Sequence, residues 1–114
     1  MSLRTDDLVI PQGATWEIHW PVLNLDGTPM DLTSWGVRAQ IRTNVNADTV
    51  LYEWNSTAGN VSLLAGDVVL SVSASDSSAW DWSVGVYDVE LFQPDGTVIR
   101  LTQGQVTVDK EVTR

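Results

Sequence analysis

The sequence predicts an all-β fold, two antiparallel sheets packed face to face as a sandwich, on three observations. About eight short segments are strand candidates, and the clearest of them alternate apolar and polar residues with a period of two, as a strand with one buried face does. Clusters of Gly, Pro, Asp and Asn separate them at the interval expected of a sandwich or small barrel. No segment shows a convincing long helix, and there is no internal repeat or low-complexity linker.

Leu8-Val9-Ile10 is a short first strand, stopped by Pro11-Gln12-Gly13. Thr15 to Val22 alternates most clearly, with Trp16, Ile18, Trp20 and Val22 on one side and Thr15, Glu17 and His19 on the other. Pro21 in that run predicts an edge position or a bulge near its end. Asn24 to Pro29 is turn chemistry, with Asp26-Gly27 tolerating positive φ, and Met30 to Thr33 is expected as a short bridge strand. Val37 to Arg42 points Val37, Ala39 and Ile41 inward and Arg38, Gln40 and Arg42 outward, before a loop from Thr43 to Asp48.

Val50 to Trp54 and Val61 to Leu64 are further strands around the loop from Asn55 to Asn60. Ala65-Gly66-Asp67 turns the chain into Val68 to Val72. Ser73 to Ala79 suits a helical turn or a crossover better than a strand. Gly85 to Leu91 alternates again, and Asp95-Gly96 reverses the chain into Thr97 to Thr102. Gly104 interrupts the pattern before Val106 and Val108 resume it, which predicts a bulge or a change of sheet.

The 114 residues make one domain, 1–114, with short N- and C-terminal extensions. Such a chain buries roughly two-thirds of its unfolded surface, enough for a core without staples. There is no cysteine, so disulfides and thiolate metal sites are excluded. The N-terminus lacks the basic-then-apolar order of a signal peptide, and no apolar run approaches the roughly 18 residues of a membrane span. Synthesis in the cytoplasm and no membrane partner are expected. Net charge is −9, so phosphate backbones would be repelled and nucleic-acid binding is not expected.

Six tryptophans are a large excess for this length. Trp16 and Trp20 belong to an inward face, whereas Trp35 and Trp54 border turns and are expected to plug the ends of the sandwich. Trp80-Asp81-Trp82 puts two rings on one face of a short segment after a polar crossover. They either cap the core or form a surface for stacking or docking. His19, the single histidine, is expected to be solvated, without the convergent ligands a metal needs. Asp26, Asp31, Asp81 and Asp95 sit near turns, but none has the spacing of a known calcium loop, and turn formation explains the Asp-Gly pairs first. Arg38 and Arg42 project from one strand face; a solvated surface pair is the default expectation, and contact with acidic groups on a neighbouring sheet or subunit the alternative. No nucleophile–base set, cofactor motif or metal site is predicted.

Several stretches, in order, carry a resemblance: Ile10-Pro11-Gln12-Gly13-Ala14, Asp26-Gly27-Thr28-Pro29-Met30-Asp31-Leu32-Thr33, Val37 to Arg42, Gly85 to Leu91, and Gly104 to Val108 with Glu111 to Arg114. Together they resemble small phage tail and baseplate domains, closest to the immunoglobulin-like N-terminal domain of baseplate upper proteins. The resemblance implies an immunoglobulin-like antiparallel β-sandwich of about seven to eight strands. It also implies a virion structural role without catalysis, with other virion proteins as partners and several symmetry-related copies. Baseplate upper proteins continue past this domain, whereas the sequence ends at Arg114, so an accessory or joining piece is expected. The expected contact residues are Trp80 and Trp82, Arg38 and Arg42, and the segment from Asp109 to Arg114 with Lys110 and Arg114. The alternatives are a carbohydrate-binding module using exposed tryptophans and a head or neck decoration protein.

Overall fold

Period-2 alternation becomes strand structure wherever one face has a core to cover. The computed structural model describes residues 4–64 and 66–113. In order these form β1 (Arg4–Thr5), β2 (Leu8–Pro11), β3 (Trp16–Pro21), β4 (Gly36–Arg42), β5 (Val50–Trp54), β6 (Val61–Leu64), β7 (Asp67–Val72), α1 (Ala74–Ser78), β8 (Val84–Phe92) and β9 (Val98–Asp109). One sheet runs β1-β9-β8-β4-β5 with β2 also on β9, and the other runs β3-β7-β6. The neighbours β9-β8-β4 and β3-β7-β6 reproduce the two-sheet strand order of immunoglobulin domains. The chain is an immunoglobulin-like β-sandwich. Pairing is antiparallel except that β1 and β2 lie parallel to β9.

The core lies between the sheets. Trp20, Val68, Leu70 and Val72 of the smaller sheet meet Ala39, Ile41, Trp54, Val89, Leu91 and Val106 of the larger one. Trp54 is not an end plug. It is fully buried, and its indole Nε1 donates to the Ser71 carbonyl at 2.9 Å, tying β5 to β7 across the sandwich. Trp35 is half-buried and packs against the core, near the end where β4 begins. Among the described residues β7 is the only strand paired with β3, so Pro21 does sit on an edge strand.

Two local expectations change. Met30 to Thr33 is not a strand; the bridge lies earlier, between Leu23 and Pro29. Asp31 there accepts from the Thr33 backbone and hydroxyl, which curls the segment away from strand geometry. Gly104 does not interrupt β9 either, which continues through it to Asp109. The register shift is instead beside Val89 and Glu90, where Thr102 and Arg100 are the successive partners and Leu101 is the extra residue. Gly104 serves a close approach: a β-carbon there would collide with the Asp6 carbonyl, at the break between β1 and β2. Asp6 N–H donates to the Gln103 carbonyl (2.9 Å), Tyr87 hydroxyl to the Asp6 carbonyl (2.6 Å), and Gln105 N–H to Asp7 Oδ1 (2.9 Å).

The register also sorts the connections. The β3–β4, β6–β7 and β8–β9 connections share one end, because Pro21 pairs with Asp67 and Gly36 with Phe92. The β2–β3, β4–β5 and β7–β8 connections share the other.

Candidate functional site

Three cross-strand rows cover the middle of the larger sheet's outer face. Arg38, Glu90 and Arg100 form the first; Glu53, Gln40, Asp88 and Gln103 the second; Arg42, Val86 and Gln105 the third. Each position alternates with a core residue, so the pleat that buries Ala39, Ile41, Val89 and Leu91 turns these groups outward. Three arginines face three carboxylates. The chain's net charge of −9 therefore lies wholly outside these rows.

Arg38 Nε donates to Glu90 Oε1 at 2.9 Å, and its guanidinium lies 5.0 Å from the Phe92 ring centroid. Gln40 donates to Glu53 at 2.7 Å. Arg100 Nε stands 3.7 Å from Asp88 Oδ2, a loose pair at a half-exposed site. Partial burial, then the Glu90 carboxylate, push the Asp88 pKa up, while Arg100, Arg42 and Arg38 oppose the shift. Arg42 is occupied locally. Its Nη1 donates to the Ala47 carbonyl (2.6 Å) and Nη2 to Gln40 Oε1 (2.8 Å), while Asn44 Oδ1 accepts from Asn46 N–H (3.0 Å). The β4–β5 loop is thus fixed by its own strand, with Val45 held at 85% exposure on its tip. Val45, Val86, Asp88, Arg100, Gln103 and Gly104 line an open groove of about 530 Å³.

The expected docking tryptophans lie elsewhere. Trp80 is only 8% exposed, and its ring packs 4.8 Å from Trp82 and 5.2 Å from Tyr52. Burial of its large apolar ring makes Trp80 a core residue rather than a docking ring. Trp82 is half-buried, and its Nε1 finds no acceptor among the described residues. The rings are tilted by 35°. No tryptophan falls among the exposed large hydrophobic residues, so a coplanar platform of solvent-facing indoles is absent from the described residues. Lys110 Nζ donates to the Trp82 carbonyl (2.9 Å), closing the C-terminal segment over the same end. Arg114 lies outside the described residues.

The turn aspartates have local work. In Asp26-Gly27-Thr28, Asp31-Leu32-Thr33 and Asp95-Gly96-Thr97, the carboxylate accepts the N–H of the threonine two residues on. Threonine hydrogen bonds hold all three carboxyl pKa values below the usual range: chiefly the side-chain hydroxyl at Asp26 and Asp31, and the backbone N–H at Asp95. All three turns lie at the end where β4 begins. His19 is exposed between Glu17 (3.2 Å) and Asp67 (3.9 Å). Among the described residues, no three His, Asp or Glu side chains converge as metal ligands.

Sequence reasoning found Arg38 and Arg42 but missed Asp88, Arg100 and Val45. Alternation in β8 puts Asp88 and Glu90 outward. The extra residue at Leu101, which sets the phase of β9, leaves no mark in the pattern. Compared with known proteins, the chain matches no family model and no curated sequence.

Proposed function

We propose that this chain is a non-enzymatic structural protein of a phage particle, a tail or baseplate adaptor that docks on neighbouring virion proteins through its larger sheet. The observation that carries the docking is the charge-balanced outer face. On a strongly acidic molecule it is the surface where a partner meets donors and acceptors of both signs without a net charge to overcome. Hydrogen bonds from Arg42 to the Ala47 carbonyl and from Asn46 N–H to Asn44 Oδ1 hold the backbone of the loop beside it, which reduces the ordering cost of a contact through Val45. The phage assignment rests on the ordered resemblance of the turn and strand segments. The burial and tilt of Trp80 and Trp82 weigh against the sugar-stacking alternative.

The test is to tag the protein in its phage and image gold-labelled particles by electron microscopy. Label at the tail tip supports the adaptor. Label on the head or neck moves it to a decoration or joining role. Unlabelled particles, with a tag shown to be accessible, overturn the virion assignment.

A further inference from the structure

We propose that this domain is a tension-bearing link: a pull between the chain segments that precede β1 and follow β9 is carried in shear by the pairing of β1 and β2 with β9. The proposal goes beyond docking and stands whichever protein covers the larger sheet. Among the described residues, β1 and β2 are the strands that depart from antiparallel pairing. Both run parallel to β9, with Arg4 and Thr5 beside Thr102 and Gln103, and Leu8 to Pro11 beside Val106 to Asp109. The chain therefore enters this pairing at the level of Thr102 and leaves it at the level of Asp109, the opposite end. Pulling the two segments apart drives β1 and β2 one way and β9 the other, along their common axis. The slanted, evenly spaced bonds of a parallel ladder are then loaded together, whereas a pull from one end opens them one by one.

The residues along the pairing suit a clamp. Gln12 N–H donates to the Asp109 carbonyl (2.9 Å), so by alternation Ile10 and Leu8 also turn their backbone groups to β9. Pro11 falls at the intervening phase, where its missing N–H lies on the free edge and takes no bond from the ladder. The Leu8 and Ile10 side chains are buried in the core. A one-residue slip of β2 would turn both outward, so the core resists sliding as well as separation. The break between β1 and β2 is pinned rather than slack. Asp6 N–H donates to the Gln103 carbonyl (2.9 Å), the Tyr87 hydroxyl to the Asp6 carbonyl (2.6 Å), the Thr102 hydroxyl to Asp6 Oδ2 (2.8 Å), and Gln105 N–H to Asp7 Oδ1 (2.9 Å). At the far end Glu111 N–H donates to Gln12 Oε1 (3.0 Å), tying the segment after β9 to the residue after β2.

A second direction of pull gives the contrast. The β8–β9 connection lies at the end where the chain enters β1, because β9 begins at Val98, beside Phe92. A pull between the start of the chain and that connection acts on the pairing from one end and peels off β1, then β2, bond by bond. Resistance to a pull is set by the barrier that must be crossed along it, not by the equilibrium stability of the fold. The same domain is therefore strong along its strand axis and weak across it.

The test is single-molecule force spectroscopy of the full chain, tethered in two ways through added cysteines, since the protein has none of its own. Tethers at the two chain ends load the pairing in shear. Tethers at the first chain end and at Pro94→Cys, in the exposed β8–β9 connection, peel it. At one pulling rate, the force that detaches β2 should be at least about twofold higher in shear than in peeling. Gly104→Ala, which lifts β1 and its pinned break, should lower the shear force more than the peeling force. Trp54→Phe, which weakens the core away from this pairing, should leave the ratio of the two forces unchanged. Equal forces in the two geometries, or a shear force that Trp54→Phe lowers more than Gly104→Ala does, overturn the inference. Neither outcome changes which surface docks, which the labelled particles read separately.

Discussion

Replacing Gly104 with alanine places a methyl group where the Asp6 carbonyl sits, so β1 and the β1–β2 break must lift from β9. Four hydrogen bonds go with that movement: Asp6 N–H to Gln103, Tyr87 hydroxyl to the Asp6 carbonyl, Thr102 hydroxyl to Asp6 Oδ2, and Gln105 N–H to Asp7 Oδ1. At a net ~0.5–1.5 kcal/mol each, losing most of them costs about 2–4 kcal/mol. For a domain of this size that lowers Tm by roughly 8–15 °C. Urea denaturation of the variant gives the number directly. A double-mutant cycle with Tyr87→Phe then tests the cause. Alone, that change should cost ~1–2 kcal/mol by orphaning the Asp6 carbonyl, and in the Gly104→Ala background only a few tenths. A Gly104→Ala protein within about 0.5 kcal/mol of the parent, or an unchanged Tyr87→Phe cost in both backgrounds, refutes the close-approach argument.

Trp80→Ala should lose about 3–5 kcal/mol by opening a cavity beside Tyr52 and Trp82; a melt within 1 kcal/mol of the parent would return Trp80 to the surface. Trp54→Phe keeps an aromatic ring but orphans the Ser71 carbonyl, so a loss of about 1–3 kcal/mol is expected by the same denaturation assay. Burial pushes the pKa values of Tyr52 and Tyr87 up from 10 to about 12, so the folded state holds protons that the unfolded chain releases first. Stability from these groups is complete below pH 10 and lost as pH rises toward 12, and Tyr52→Phe/Tyr87→Phe should flatten that decline in a pH series of melts. Asp88 has the same sign at acid pH. Its raised pKa makes ionisation a cost of folding, so Asp88→Asn should be neutral or stabilising at pH 7, and clear destabilisation there would show Arg100 to be the stronger influence.

The strands were legible because burial on one face writes itself into alternate residues. β3, β4, β7 and β8 show that pattern and place their apolar sets inward. Pro21 marked an edge for a backbone reason, the missing donor, and β3 is one. Gly104 was visible as an exception but not as a cause, since its partner, Asp6, lies 98 positions away in the sequence. A close approach between distant backbones has no local signature. Trp54 was misplaced for a related reason: bordering a turn in sequence says nothing about the opposite sheet, where Ser71 receives its indole. Half of the outer face was readable. Arg38 and Arg42 alternate with core residues, whereas Arg100 comes into register only through the bulge at Leu101.

Carboxyl footprinting of intact particles against the free domain tests the docking face most directly. The account predicts that Glu53, Asp88 and Glu90 are protected in the particle while Glu17 and Asp67, on the smaller sheet, label as they do in solution. Equal labelling of Glu53, Asp88 and Glu90 in both states, or protection centred on Glu17 and Asp67, would contradict it.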